Sequence, residues 1–490
     1  MYNYRNEINE GVFNMPKFPE YDACTSILVG KKASVDGSTM IGRNEDCKAT
    51  WPKHFVVHPH KEYKEKPVFK AQENAFIMEL PTVRGKYTAT PEWTNKEGLF
   101  EEEGINEYGV AMSATESAYS NSYVLGFDPL VEGGISEASV VTVVLPYVKT
   151  AREGVKRLGE IVSKYGSSES NGILFSDQEE VWYFEIGSGH QWVAMRIPDD
   201  CYAVVSNRLA IQNIDFDDPD NFMWSADIID FVRKNHLNNS NNGGFNFREI
   251  FGTRNESDLY YNNPRVWYGQ RMFNPEIKQD PESYDLPFVR KPSRLISVQD
   301  AKDFLASHYQ GTPFDPVGKG SHEDKTRYRP ISLAKAQESH VLQIRPNLPI
   351  EVGGIHWLSM GVAAQSVFVP FFAGIKDTPL EYKIGKLTYE PKSAYWIFKL
   401  AGVLLDPHYN TFVDVVGDVQ EKLNIYFQQK INEADIKAND LAPQEVSDFV
   451  TKISNECAEY AMDSYRHLSY EMISKSTDFS KLNYNTDENL

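Results

Sequence analysis

Short apolar runs rich in β-branched and aromatic residues recur through the first three-quarters of the chain, many of them flanked on one side by Gly, Pro, Asn or Asp. They are Thr25–Val29, Ser38–Gly42, Phe55–Val57, Phe76–Leu80, Thr82–Thr88, Val110–Ser113, Gly172–Ser176, Val181–Ile186, Gln191–Ile197, Tyr202–Ser206, His340–Ile344 and Glu351–Met360. Runs of this length and composition predict strands. The four from Gly172 to Ser206, separated by Asp-Gln, Gly-Ser-Gly and Pro-Asp-Asp turns, predict an antiparallel meander rather than parallel βαβ units. Thr142–Tyr147 reads as a strand or as the start of a buried helix, and Val367–Phe372 as an apolar element holding Pro370. A helical period appears over Ala151–Tyr165, with Val155, Leu158, Ile161 and Val162 on one face. It returns in the tail. Asp418–Lys437 places Val419, Leu423, Tyr426, Phe427 and Ile431 together, and from Pro443 onward Val446, Phe449, Val450, Ile453, Cys457, Tyr460, Ala461, Leu468 and Met472 do the same. The pattern predicts an α+β protein, a strand-rich body of stacked sheets between helical layers, ending in an amphipathic helical hairpin. Residues 1–23 and 476–490 carry no period and predict flexible ends.

Composition narrows the function classes. With 490 residues, 41% of them hydrophobic and 13% aromatic, the chain can bury a large core. No run approaches the roughly 18 apolar residues of a membrane-spanning helix; Ser139–Val148 is too short and contains Pro146. Residues 1–23 have no apolar core of a secretory signal. Lys and Arg total 50 against 69 Asp and Glu, a net charge of -19, which repels phosphate backbones and argues against nucleic acid as a partner. Four cysteines, at positions 24, 47, 201 and 457, form no CxxC pair, so reduced thiols and a cytoplasmic location are expected. Eleven scattered histidines without an HExxH predict no metal site and no cofactor.

The candidate chemistry lies in the first two strands. Asp36-Gly37 suits a tight reversal. Pairing Gly30 with Gly37 puts Arg43 directly across from Cys24, with Asp46 just past the strand end. A small core cysteine is the plain alternative for Cys24. A neighbouring guanidinium, however, lowers a thiol pKa, and everything before Cys24 looks removable. Cutting the Ala23–Cys24 bond would give Cys24 an α-amine with a pKa of roughly 7.7–8. That amine can act as general base for its own thiol. Asp46 would orient the amine and Arg43 would stabilise the thiolate. His190 and His356 are the alternative bases, while Cys47, Cys201 and Cys457 are expected to be spectators.

The segments Ala23-Cys24-Thr25-Ser26, Asp36-Gly37-Ser38-Thr39 and Gly42-Arg43-Asn44-Glu45-Asp46 resemble the start of the bacterial dipeptidase A family, cysteine-type N-terminal-nucleophile (Ntn) hydrolases. The likeness continues through Asn106-Glu107, Val110–Ser117, Ala151-Arg152-Glu153-Gly154, Glu169-Ser170-Asn171-Gly172, Trp182–Asp200, Ser206-Asn207 and Asp406-Pro407-His408-Tyr409-Asn410. The resemblance implies a four-layer αββα fold, metal-free hydrolysis of dipeptides, a propeptide and a homo-oligomer. Carried onto this chain, it implies Cys24 as nucleophile, Arg43 and Asp46 as its partners, and Asn207 as an oxyanion-hole donor. Arg265 is a second arginine that could line the site. Glu116 departs from related penicillin and bile-salt amide hydrolases, where an uncharged side chain is usual. An ionised carboxylate cannot donate to an oxyanion, so Glu116 is expected to bind the α-ammonium of a dipeptide. The implied organisation is a propeptide over 1–23, a catalytic domain over 24–400, a helical extension of it over 401–475 and a tail over 476–490, with Met15 as an alternative start. The competing readings are an acylase for non-peptide amides and a secernin-like regulatory protein without catalysis.

Overall fold

In the computed structural model, residues 23–116, 118–241, 243–438 and 440–482 are described. The first hairpin joins β1 (Ala23–Val29) to β2 (Thr39–Asp46). Its register differs from the expected one: Val29 faces Met40, Ser26 faces Arg43, and Cys24 faces Glu45. The reason lies in the connection. Gly37 does take a left-handed φ of 77°, but residues 30–38 form a longer excursion, in which Ser38 N–H donates to Asp36 Oδ1 (3.1 Å) and Ala33 N–H to Gly30 O (2.9 Å). The slip is two residues, an even number, so each side chain stays on its expected face.

Three nested two-stranded ribbons follow: β3 (Val56–His58) with β8 (Tyr87–Ala89), β4 (Lys61–Glu62) with β7 (Val83–Arg84), and β5 (Val68–Lys70) with β6 (Ile77–Glu79). A six-stranded antiparallel sheet is then built from β9 (Glu103–Ile105), β10 (Ala111–Glu116), β11 (Asn171–Ser176), β12 (Val181–Ile186), β13 (Trp192–Arg196) and β15 (Phe222–Trp224), in the order β15-β13-β12-β11-β10-β9. The remaining strands are β14 (Tyr202–Val205), β16 (Val289–Arg290), β17 (Ala336–Ile344), β18 (Gly354–Met360) and β19 (Val369–Phe372). They complete a seven-stranded sheet around the hairpin, ordered β16-β14-β1-β2-β17-β18-β19.

The predicted four-strand meander is therefore corrected to three strands. β14 leaves it and pairs with β1, Ser26 opposite Val205. The Pro198–Asp200 turn makes the crossing by docking on the first hairpin: Lys32 N–H donates to Asp199 O (2.8 Å) and Gly30 N–H to Cys201 O (2.9 Å). A Cβ on Gly30 would stand 2.5 Å from Asp199 O, so only glycine allows this approach.

Strand alternation sorts the core. Leu28, Ile41, Ala203, Val205 and Leu342 pack against Ile105, Ala111, Leu174, Tyr183 and Val193 of the other sheet. Ile27, Val29, Met40, Val204 and Val341 point the opposite way, toward a cluster that includes residues of the helices Asn263–Phe273, Val298–Leu305, Ala394–Leu405 and Pro443–Ser476. Helices Glu137–Val144 and Ala151–Tyr165 cover the six-stranded sheet. The ambiguous run at 142–147 is thus the end of a helix followed by the 3-10 turn Leu145–Tyr147. Val140, Val141, Val143 and Val144 are all buried, and burial on every side erases the periodicity that would have marked a helix. In the tail, helix Tyr409–Ala438 packs along Pro443–Ser476. None of the described helices is long and apolar enough to cross a membrane.

Candidate active site

Cys24, Ser26 and Leu28 alternate onto the face of β1 that meets the other sheet, and Ile41, Arg43 and Glu45 do so on β2. Arg43 is therefore diagonal to Cys24 rather than opposite it, and its length closes the gap: Nη1 donates to Cys24 Sγ at 3.3 Å. The thiol is 3% exposed and the guanidinium fully buried. A guanidinium without solvent needs anionic partners. Arg43 Nη1 also donates to Glu137 Oε1 (3.2 Å), Nη2 pairs with Glu102, and Glu103 Oε2 lies 3.9 Å away. Lys53 supports the same group, with its Nζ 3.0 Å from Glu45 Oε1, 3.0 Å from Phe100 O and 3.8 Å from Glu102 Oε1. Glu102 is placed there by backbone conformation, since it and Phe100 have left-handed φ of 56° and 45°. Such a conformation costs a non-glycine residue about 1–3 kcal/mol and clusters at working sites.

Burial pushes the Cys24 thiol well above its ordinary range. Arg43 pulls it down, while Glu137, Asp46 and Glu102 push it up. Arg43 thus acts on the thiol in the expected direction, but desolvation outweighs it.

Asp46 alternates to the other face and stands across the ladder from Ala23. It is buried and paired with Arg329. Its Oδ1 has no hydrogen-bond partner among the described residues. Burial raises its carboxyl, and Arg329, Arg265 and Arg43 lower it. Arg265 lies wholly inside the protein, on helix Asn263–Phe273. Nη1 donates to Cys24 O (2.7 Å) and Thr25 Oγ1 (2.8 Å), while Nη2 donates to Asn207 Oδ1 (2.7 Å) and Asn262 Oδ1 (2.8 Å). By holding the carbonyl oxygen of Asn207, it settles which end of that amide is the donor.

The structure thus brings Cys24, Arg43, Asp46, Asn207 and Arg265 into one network. The side chain of Glu116 lies outside the described residues; its backbone ends β10 opposite Asn171. His190 is partly exposed and bonds Asp128 (2.9 Å), and His356 is buried beside Thr88 Oγ1 (3.3 Å). Sequence reasoning missed Glu102, Glu137, Lys53 and Arg329. The run Glu101-Glu102-Glu103 was the available signal, because three consecutive carboxylates that are all buried need cations. Behind Arg43, Glu103, Glu338 and His340 come within metal-ligand range of one another, with His340 Nδ1 3.1 Å from Glu338 Oε1.

A cavity of about 70 Å³ opens beside the thiol, lined by Cys24, Glu45, Asp46, Glu102 and Glu137 and, toward its rim, Lys48, Glu92 and Glu97. A thiol beside a guanidinium, with a buried carboxylate and a side-chain amide in the same network, is a set of groups that can support acyl transfer through a thioester. The profile of Peptidase family C69 matches residues 23–422. The chain belongs to peptidase family C69. Among C69-like relatives, a "Probable dipeptidase" of Latilactobacillus sakei is 48% identical over 96% of this chain and 99% of its own length. A "Probable dipeptidase B" of Lactococcus lactis is 40% identical over 95% and 98%. A solved penicillin V acylase from Agrobacterium tumefaciens is similar at 13% identity and a TM-score of 0.30, covering 71% of this chain and 86% of that one.

Proposed function

We propose that this chain is a cysteine dipeptidase whose nucleophile, Cys24, is unmasked when the lead over 1–23 is removed, within a four-layer αββα Ntn-hydrolase fold that ends in a helical hairpin. The observation that carries this reading is the convergence on Cys24 of Arg43 at its sulfur and Arg265 at its carbonyl, with the open oxygen of Asp46 across from Ala23. Removing Ala23 leaves the Cys24 nitrogen as an amine beside a carboxylate able to orient it. The amine takes the thiol proton, and the resulting thiolate–ammonium pair replaces a bare thiolate that burial forbids. The thiolate attacks the carbonyl carbon of the first substrate residue, and the Asn207 amide donates to the oxyanion. Collapse breaks the peptide bond, the ammonium protonates the departing amine, and a thioester remains. Water, deprotonated by the same amine, hydrolyses the thioester and regenerates the thiol. A positioned donor to the oxyanion is worth about 10²–10³ in rate.

N-terminal sequencing, intact mass and turnover of alanyl-alanine, with penicillin V as comparator, test the reading. The active species is expected to begin at Cys24, to cleave the dipeptide in preference to penicillin V, and to lose turnover in Cys24→Ala. Full activity in a chain still carrying residues 1–23 would overturn the α-amine mechanism.

A further inference from the structure

The cavity beside Cys24 carries more negative charge than its own cations match. Lys53 meets Glu45, Arg329 meets Asp46, and Lys48 meets Glu97. The single guanidinium of Arg43 is shared by Glu102 and Glu137. Glu45 Oε2, on the same cavity, is buried without a hydrogen-bond partner among the described residues. Among the described residues the place is therefore short of positive charge beside the sulfur.

We propose that Glu137 anchors the free α-ammonium of the first residue of the substrate; this rests on the dipeptidase reading and deepens it. Three features select Glu137. Arg43 Nη1 touches both Cys24 Sγ (3.3 Å) and Glu137 Oε1 (3.2 Å). In an α-aminoacyl group the ammonium sits on the carbon next to the attacked carbonyl, so an ammonium bound at Glu137 brings that carbonyl to the thiol. Glu137 is the first residue of helix Glu137–Val144, where the helix dipole favours a carboxylate. Glu102, by contrast, is held by Arg43 and Lys53 together. The ammonium donates to the Glu137 carboxylate from the cavity side, beside the Arg43 guanidinium. N-acylated peptides lack this charge and are rejected because they leave the buried carboxylates unmatched. The sequence alone points to Glu116 for the same role.

The test compares alanyl-alanine with N-acetyl-alanyl-alanine on the mature enzyme. The wild type is expected to favour the free amine strongly. Glu137→Gln should lower kcat/KM for alanyl-alanine about 30- to 100-fold, the size of a lost charge-assisted hydrogen bond. The loss should fall mainly on KM and be clearly smaller on the acetylated substrate, so that the preference ratio narrows accordingly. Glu137→Asp should restore part of the discrimination. Equal losses of kcat on both substrates would reduce Glu137 to a prop for Arg43 and overturn the proposal, as would collapse of the preference in Glu116→Gln instead. Should the variants fold poorly, inhibition of the wild type decides: L-alaninol must bind at least tenfold tighter than N-acetyl-alaninol, and equal inhibition overturns the assignment. A wild type that cleaves neither dipeptide refutes the dipeptidase reading itself.

Discussion

In the proposed mechanism Asp46 works only as an anion, and two opposing effects decide whether it is one. Burial raises its carboxyl; the ion pair with Arg329 is the largest effect pulling it back. Removing that cation should let desolvation win. In Arg329→Met, Asp46 then ionises at higher pH than in the wild type. Because the carboxylate is the working form, activity present above its pKa is lost as pH falls through a higher value. The acid limb of the kcat/KM profile should move up by at least about one pH unit, with the loss greatest near pH 6 and recovering toward pH 8. An unshifted limb would show that Arg329 does not control Asp46. Cys24, Arg43 and Asp46 were legible in the sequence because they share one hairpin and strand parity fixes their faces. Arg329 was not: it lies 283 residues from Asp46 in the chain and belongs to no motif of its own. Glu102 and Glu137 were missed for a related reason, since a carboxylate in a turn or at a helix start normally faces solvent, and only the packing of two sheets buries these.

At the scale of elements, alternation located most strands, and it also explains where inference from the chain stopped. The first hairpin was placed two residues out of register because turn chemistry at Asp36-Gly37 indicates a reversal without saying how long the excursion is. β14 was assigned to its sequence neighbours because nothing local distinguishes a strand that stays in its sheet from one that crosses to another. Close backbone approaches record such decisions. A Cβ on Gly104, in β9, would sit 1.8 Å from Thr88 O on β8, and a backbone carbonyl has no rotamer by which to retreat. Gly104→Ala should therefore cost about 1–3 kcal/mol, read as a lower urea midpoint, and should disturb the neighbouring Glu102 and Glu103 enough to reduce turnover. Gly417, in the interior of helix Tyr409–Ala438, has nothing within 4 Å of its hypothetical Cβ. There alanine should stabilise by about 0.5–1 kcal/mol without affecting turnover. Similar midpoints for the two variants would refute this account of Gly104.

The whole molecule closes two antiparallel sheets over an interior that is unusually acidic, and that choice links its stability to pH. Glu103 and Glu338 are buried and both approach His340 Nδ1. Burial pushes both up to about 8; Arg43 and Lys53 pull Glu338 down, while Glu102 and Asp46 push it up. In the unfolded chain these carboxyls titrate near 4.5. Between those values the folded protein holds protons that the unfolded chain has released. Stability from these groups is thus present at low pH and declines as pH rises toward 8, by about 1.4 kcal/mol per pH unit for each proton held. His340 and His356 work in the opposite sense over a lower range. Burial depresses both to about 3 from 6.5, so their contribution grows up to pH 6.5 and is constant beyond it. From pH 6.5 to 8 the decline is left to buried carboxyls. Glu338→Gln puts a permanently neutral amide where the protonated acid stands and removes one of them. Its urea midpoint should exceed that of the wild type at pH 8 and approach it at pH 6.5. A difference independent of pH would mean that Glu338 is already ionised in the folded protein, balanced by Arg43 and Lys53 rather than by a proton.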